Sequence, residues 1–156
     1  MSAPQWISPI QVTKLAILNI AFDTKDSYKS KEIDFNLTLN LGKGTPVINE
    51  SEYRCNYILE VVPFWFDPKT KDEAFSARCK IGIEVSSPIE ILKDFDEEHR
   101  DRFIAANAVS LAYGKIRAIL ESITAESPVG RQSIPTVNPY EVVESMEQAD
   151  KSNNDL

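Results

Sequence analysis

Apolar and polar residues alternate with period two in four stretches of this chain. That is the pattern of strands whose successive side chains point to opposite faces of a sheet. From about residue 11 to 23, Val12, Ala16, Leu18, Ile20 and Phe22 fall on one face, and Leu15 and Ile17 interrupt the order. From about 32 to 41, Ile33, Phe35, Leu37, Leu39 and Leu41 oppose Asp34, Asn36, Thr38 and Asn40, the cleanest alternation in the chain. From about 52 to 66, Tyr53, Cys55, Tyr57, Leu59 and Val61 share a face. Pro63 cannot donate to a ladder, so it predicts an edge or a bulge there. From about 73 to 85, Phe75, Ala77, Cys79, Ile81, Ile83 and Val85 oppose Ser76, Arg78, Lys80, Gly82 and Glu84. Gly42-Lys43-Gly44-Thr45-Pro46 and the polar turn Asp67 to Asp72 separate the later strands, with no helix between them. Antiparallel pairing with one solvated face is therefore predicted.

The period changes near residue 94. Ala105, Val109, Ala112, Ile116, Ile119 and Ile123 recur at three- and four-residue steps, and Ala108, Leu111 and Leu120 widen the stripe. Asp94 with Glu97 has the spacing of a capping box, and Asp96, Glu97 and Glu98 suit the positive end of the helix dipole. A helix of roughly 29 residues, to about Ala125, would be about 44 Å long, against about 33 Å for a ten-residue strand. It overshoots the sheet, has a candidate kink at Gly114, and carries small residues that permit close packing. Its wide apolar stripe points to an oligomer. Four residues, Pro128, Gly130, Pro135 and Pro139, then punctuate an extended stretch. Asn138-Pro139 reads as a helix cap followed by proline at the first helical position. A short helix to about Gln148 follows, with Val142, Val143 and Met146 as its apolar positions. The pattern thus predicts an α+β fold: an N-terminal arm (1–9), one domain (10–148) and a disordered polar tail (149–156).

Composition narrows the function. The 156 residues carry a net charge of −7. That argues against a general nucleic-acid binder, which must neutralise phosphates, and against adhesion to anionic membranes. No contiguous apolar run reaches the roughly 20 residues of a membrane span, and residues 1–9 lack the layout of a signal peptide, so the cytoplasm is expected. Cys55 and Cys79 lie in alternating segments and read as reduced, buried thiols. The one histidine, His99, sits among Asp and Glu in the first helical turn. There is no glycine-rich phosphate loop, nucleophile elbow, triad pairing or zinc spacing. No enzyme activity, cofactor or metal is predicted.

What stands out is an apolar surplus. Val61-Val62-Pro63-Phe64-Trp65-Phe66 is six apolar residues in a row, so alternation must turn some of them away from the main core. Either both sheet faces are covered there, or an apolar groove is open for peptide. The later segment, with Ile134, Val137, Tyr140, Val143 and Met146, could form the lid of such a groove.

The order of elements, and particular residues, resemble the SecB-type protein-export chaperones. Ile20-Ala21-Phe22-Asp23 resembles the end of that family's first strand, and Glu73-Ala74-Phe75 the opening of its fourth. Arg117 falls where the family has an arginine in its long helix. Val137-Asn138-Pro139-Tyr140 resembles the Pro-Val-Asn-Phe that follows it. The resemblance implies a four-stranded antiparallel sheet, a long helix and a short C-terminal helix, assembled as a homotetrameric dimer of dimers. It implies an ATP-independent holdase that keeps unfolded preproteins competent for translocation, with Phe64, Trp65, Phe66, Ile134, Val137, Tyr140, Val143 and Met146 as the residues to contact clients. The sheet face that docks the translocase ATPase SecA is acidic in the family. Here Asp23 keeps one acidic position, while Asn19 and Arg78 replace others, and Gly114-Lys115 stands where the family has Pro-Tyr. A SecB-like chaperone or adaptor dedicated to one client, such as a toxin–antitoxin pair, without SecA docking, is the alternative. A single-partner interaction subunit and a small-ligand domain also remain open.

Overall fold

The computed structural model describes residues 8–25 and 32–154. Seven main elements follow in order: β1 (Gln11–Thr24), β2 (Asp34–Lys43), β3 (Val47–Ile48), β4 (Glu52–Phe66), β5 (Glu73–Pro88), α1 (Glu97–Ala125) and α2 (Pro139–Asn154). The sheet is antiparallel throughout, in the order β1-β5-β4-β2, with β3 paired to β4. The α+β architecture expected from the sequence is present, with one short strand more than expected. β2 pairs with Tyr57 to Phe66 of β4, and β3 takes up the same edge at Tyr53 and Arg54. The glycine-proline break falls between them.

The core lies between one face of β4 and β5 and the inner face of α1. Tyr53, Cys55, Tyr57, Leu59, Val61 and Trp65 alternate inward along β4, and Phe75, Ala77, Cys79, Ile81, Ile83 and Val85 do so along β5. They meet Ile104, Ala105, Ala108, Val109, Ala112, Ile116 and Leu120 of α1. Fully burying side chains of this size is worth about 1.5–3 kcal/mol each, so this two-layer contact dominates stability. By length and composition α1 could cross a membrane, but half of its apolar window is buried inside this fold.

Four details differ from the sequence reading. The α1 cap is Asp96, not Asp94: its carboxylate accepts the His99 N–H at 2.8 Å, and His99 Nδ1 sits 2.6 Å from the other oxygen. α1 runs through Gly114 without interruption. α2 continues to Asn154, so residues 149–154 are helical rather than a disordered tail; residues 155 and 156, and residues 1–7 of the expected arm, lie outside the described residues. Finally, Pro63 is in an interior strand. It pairs with Leu37 of β2, while the β4–β5 ladder stops at Val61–Cys79 and resumes at Phe64–Ser76 in the same register. The missing N–H leaves a gap in one ladder instead of ending the sheet.

β1 also departs from simple alternation. Register shifts lie between Val12 and Lys14 and between Ile17 and Asn19. Each extra residue flips the phase. Val12, Leu15, Ile17, Ile20 and Phe22 therefore share the inner face, opposite Val85, Ile83, Ile81, Cys79 and Ala77. Ala16 and Leu18, expected with them, face outward, and Leu18 packs across Gly82. α1 covers β4 and β5 but meets β1 only at its last turn, where Ser122 and Ile123 border a cavity with Phe22 and Thr24. Those five inner-face side chains remain 38–57% exposed.

Candidate functional site

The segment between α1 and α2 is pinned along α1 by side chains that reach its main chain. Thr124 Oγ1 accepts the Gln132 N–H at 2.8 Å. Arg117 Nε donates to the Ile134 carbonyl at 3.0 Å, and the Tyr113 hydroxyl donates to the Pro135 carbonyl. Ile134 itself is 1% exposed. The chain then leaves α1, passes Thr136 and Val137, and enters α2 at Asn138, whose side chain accepts the Tyr140 N–H at 3.0 Å. Val142 and Val143 are buried. Arg102 of α1 reaches Glu147 of α2 at 2.9 Å and Glu144 at 3.9 Å.

This path leaves two adjoining clefts between α2 and the inner face of β2. The upper one holds about 460 Å³ and is lined by Leu37, Leu39, Val137, Val142 and Met146, with Thr136, Asn138, Glu141 and Ser145 around them. The lower one holds about 330 Å³. Leu41, Tyr57, Ala105, Val143 and Met146 give it an apolar floor, and Lys43, Asp101, Glu147 and Asp150 its rim. Met146 belongs to both. The two clefts together form a trough with an apolar floor and an extensive polar rim beside an edge strand, open to solvent, with more carboxylates than cations lining it. Asp101 is held by the Tyr53 hydroxyl at 3.0 Å, by Arg100 at 3.1 Å and by Lys43 at 3.5 Å. Burial is the main cause that pushes the Tyr53 and Tyr57 hydroxyls well above their usual range. Both stay protonated at physiological pH. Among the described residues, no group of three His, Cys, Asp or Glu is arranged to hold a metal ion.

The eight residues expected to contact clients are divided by the structure. Val137, Val143 and Met146 line the trough. Trp65 does not: it is 2% exposed and packs edge-on against Phe75, with ring centres 5.3 Å apart. Phe64 and Phe66 lie on the opposite face of the sheet, their rings stacked at 5.6 Å, with Lys71 over Phe66. Ile134 is an interior anchor behind the trough wall. Tyr140 is 45% exposed on α2 and lines neither cleft. The sequence reading missed Leu37, Leu39 and Leu41, although their strict alternation on β2 placed them on one face.

Asn19, Asp23 and Arg78 do share a surface, the outer face of the sheet. Asn19 pairs with Lys80, Ala21 with Arg78, and Asp23 with Ser76. Leu18, Asn19, Ala21, Glu60, Arg78 and Lys80 border a shallow depression there, and Asp23 is bound by Lys25 at 3.0 Å. Charges of both signs are mixed across this face.

No protein-family model and no curated protein matches this sequence. Solved structures do. A SecB-like chaperone from Mycobacterium tuberculosis (Rv1957), in complex with a ChAD peptide from the Rv1956 HigA1 antitoxin, superposes with a TM-score of 0.59 and 11% identity, covering 82% of this chain and 90% of that one. A protein of unknown function from Streptococcus agalactiae gives 0.48 at 9% identity, covering 81% of this chain and 97% of that one. The protein thus has a SecB-like fold: an antiparallel sheet, one long helix across it and a shorter C-terminal helix beside its edge.

Proposed function

We propose that this protein is an ATP-independent chaperone, a holdase that takes extended apolar segments of unfolded clients into the trough between β2 and α2. The observation that carries the reading is the trough itself. An apolar floor of Leu37, Leu39, Leu41, Val137, Val143 and Met146 lies open beside an edge strand. Extended chains bind such edges through main-chain bonds and alternate side chains. The SecB-like fold, in which the mycobacterial neighbour is bound to an antitoxin peptide, supports the same reading. The work is binding, with no chemical step.

The test is suppression of aggregation of a reduced, unfolded model protein without nucleotide, beside the variant Met146→Glu. A carboxylate in the apolar trough should weaken client binding at least about tenfold, because burying an unpaired charge is costly. No suppression by the wild-type protein would refute the proposal.

A dedicated client is the second reading. Two observations favour it over general preprotein export: the neighbour's bound antitoxin peptide, and the mixed charge of the outer face around Asn19, Asp23 and Arg78, which lacks the acidic character SecA docking would use. Binding tests on several unrelated unfolded proteins separate the two, since a dedicated chaperone selects one. Assembly as a homotetramer belongs to the proposal as well. It is supported by the edge of β1, unpaired among the described residues, and its five exposed inner-face side chains.

A further inference from the structure

We propose that Asp34 and Asn36 are edge guards on β2, which confine pairing by an incoming client strand to the half between Leu39 and Lys43. The inference rests on reading the trough as a client site. Among the described residues β2 is an edge strand, paired to β4 on one side only. In an antiparallel pair, alternate residues point their N–H groups toward the partner and away from it. The Gly44 N–H donates to the Asn56 carbonyl of β4 at 2.8 Å, and Gly44–Asn56 continues the β2–β4 register without a shift. Even-numbered amides of β2 therefore face β4, and those of Phe35, Leu37, Leu39 and Leu41 face outward. Pro63 agrees with this phase: opposite Leu37, its missing N–H falls on the β5 side, where the ladder is interrupted.

Two of the outward amides are already occupied. The Phe35 N–H donates to Asp34 Oδ1 at 2.9 Å, and the Leu37 N–H to Asn36 Oδ1 at 3.0 Å. The next two polar residues do not repeat the device. Asn40 turns its side-chain amide to Glu60 Oε1 at 3.3 Å on β4, and Thr38 caps nothing among the described residues. Among the described residues the Leu39 and Leu41 amides are left open, and the side chains of these two residues line the upper and lower clefts. Natural sheets protect edges from unwanted pairing with polar side chains of this kind. Here the protection covers one half of the strand and stops before Leu39, where the strand passes from the upper cleft to the lower.

The occupant is an extended segment of an unfolded protein, with apolar side chains at alternate positions and a basic residue at the lower end. Only an extended segment offers carbonyls to Leu39 and Leu41 while its side chains enter both clefts. At the lower rim Asp101 is already paired with Lys43 and Arg100, and Glu147 with Arg102, which leaves Asp150 as the rim carboxylate to meet a cation. Pairing farther up would require breaking the Asp34 and Asn36 bonds first.

Amide hydrogen exchange, read residue by residue with reduced, carboxymethylated α-lactalbumin as the probe, tests this. In the wild-type protein the Leu39 and Leu41 amides should gain about tenfold protection or more on binding, and Phe35 and Leu37 none. In the double variant Asp34→Ala/Asn36→Ala, both changed residues being exposed, Phe35 and Leu37 should gain protection too. Binding without protection at Leu39 and Leu41, or a footprint unchanged in the double variant, would overturn the guard role and leave the trough standing as a client site. Absence of any binding would overturn both.

Discussion

Arg102 of α1 and Glu147 of α2 are joined at 3.0 Å from Nε to Oε2, with a second nitrogen 2.9 Å from the same oxygen. The other polar contact between the two helices among the described residues comes from the same guanidinium, which lies 3.9 Å from Glu144. Glu98, one turn earlier on α1, shares the guanidinium at 2.9 Å. The trough therefore has one wall fixed by several main-chain bonds and a second wall, α2, held by two valines, Met146 and this arginine. Arg102→Gln should speed amide exchange across α2 by up to about fivefold, the range of a partly exposed ion pair. The sheet and α1 should exchange as before. Uniform acceleration through the whole protein would show that Arg102 supports global stability instead.

Trp65 and Tyr140 were equally plausible client contacts by composition, and their environments separate them. Trp65→Ala empties an interior site against Phe75 and should cost about 3–5 kcal/mol of unfolding free energy in urea. Tyr140→Ala, on an exposed helix face, should change it by less than about 0.5 kcal/mol. If Tyr140→Ala weakens client binding at unchanged stability, α2 contributes its outer face as well as its trough side.

The contrast marks where the sequence was readable. Alternation along β2, β4 and β5 located the strands, their inner faces and the antiparallel sheet, because period two survives wherever one face is buried. It misassigned β1, where two register shifts invert the phase and put Leu15 and Ile17 inside while Ala16 and Leu18 point out. The interruption at Leu15 and Ile17 is the local mark of these shifts, but which set turns inward depends on the partner strand. The trough was half legible. Val137, Val143 and Met146 stood out as an apolar set, but Leu37, Leu39 and Leu41 looked like ordinary core residues. Only the path of the 127–138 segment, fixed by Tyr113, Arg117 and Thr124, shows that α2 stops short of covering them.

β1 carries the clearest expectation about assembly. Among the described residues its edge is unpaired, and Val12, Leu15, Ile17 and Ile20 face the same side as the core without α1 above them, with Phe22 bordering the last turn of α1. An isolated monomer would leave this strip in water, and exposed apolar patches of such size mark interfaces. Ile17→Lys with Ile20→Lys should lower the native mass measured by light scattering to that of a smaller assembly, at nearly unchanged helix content by circular dichroism. Native mass unaffected by both lysines would place the subunit contact elsewhere.

Alkaline pH tests the buried polar groups of the core. Burial pushes the Cys79 thiol up to about 11 from an ordinary value of 9.0; it is also the leading cause that raises Cys55, Tyr53 and Tyr57. Each of these groups is neutral when protonated. Between its unfolded and folded pKa the unfolded chain therefore releases a proton that the folded protein keeps, and stability falls as pH rises. For Cys79 the contribution is whole below about 9 and is lost on the way to about 11, at about 1.4 kcal/mol per pH unit. The tyrosines extend the decline further up. The melting temperature should hold level from neutral pH to about 9 and then drop steeply. Cys79→Val, which keeps the shape and removes the proton, should flatten the first part of that drop. A melting temperature independent of pH up to about 10.5 would mean that the thiol is not enclosed by β1, β4 and α1 as this packing requires.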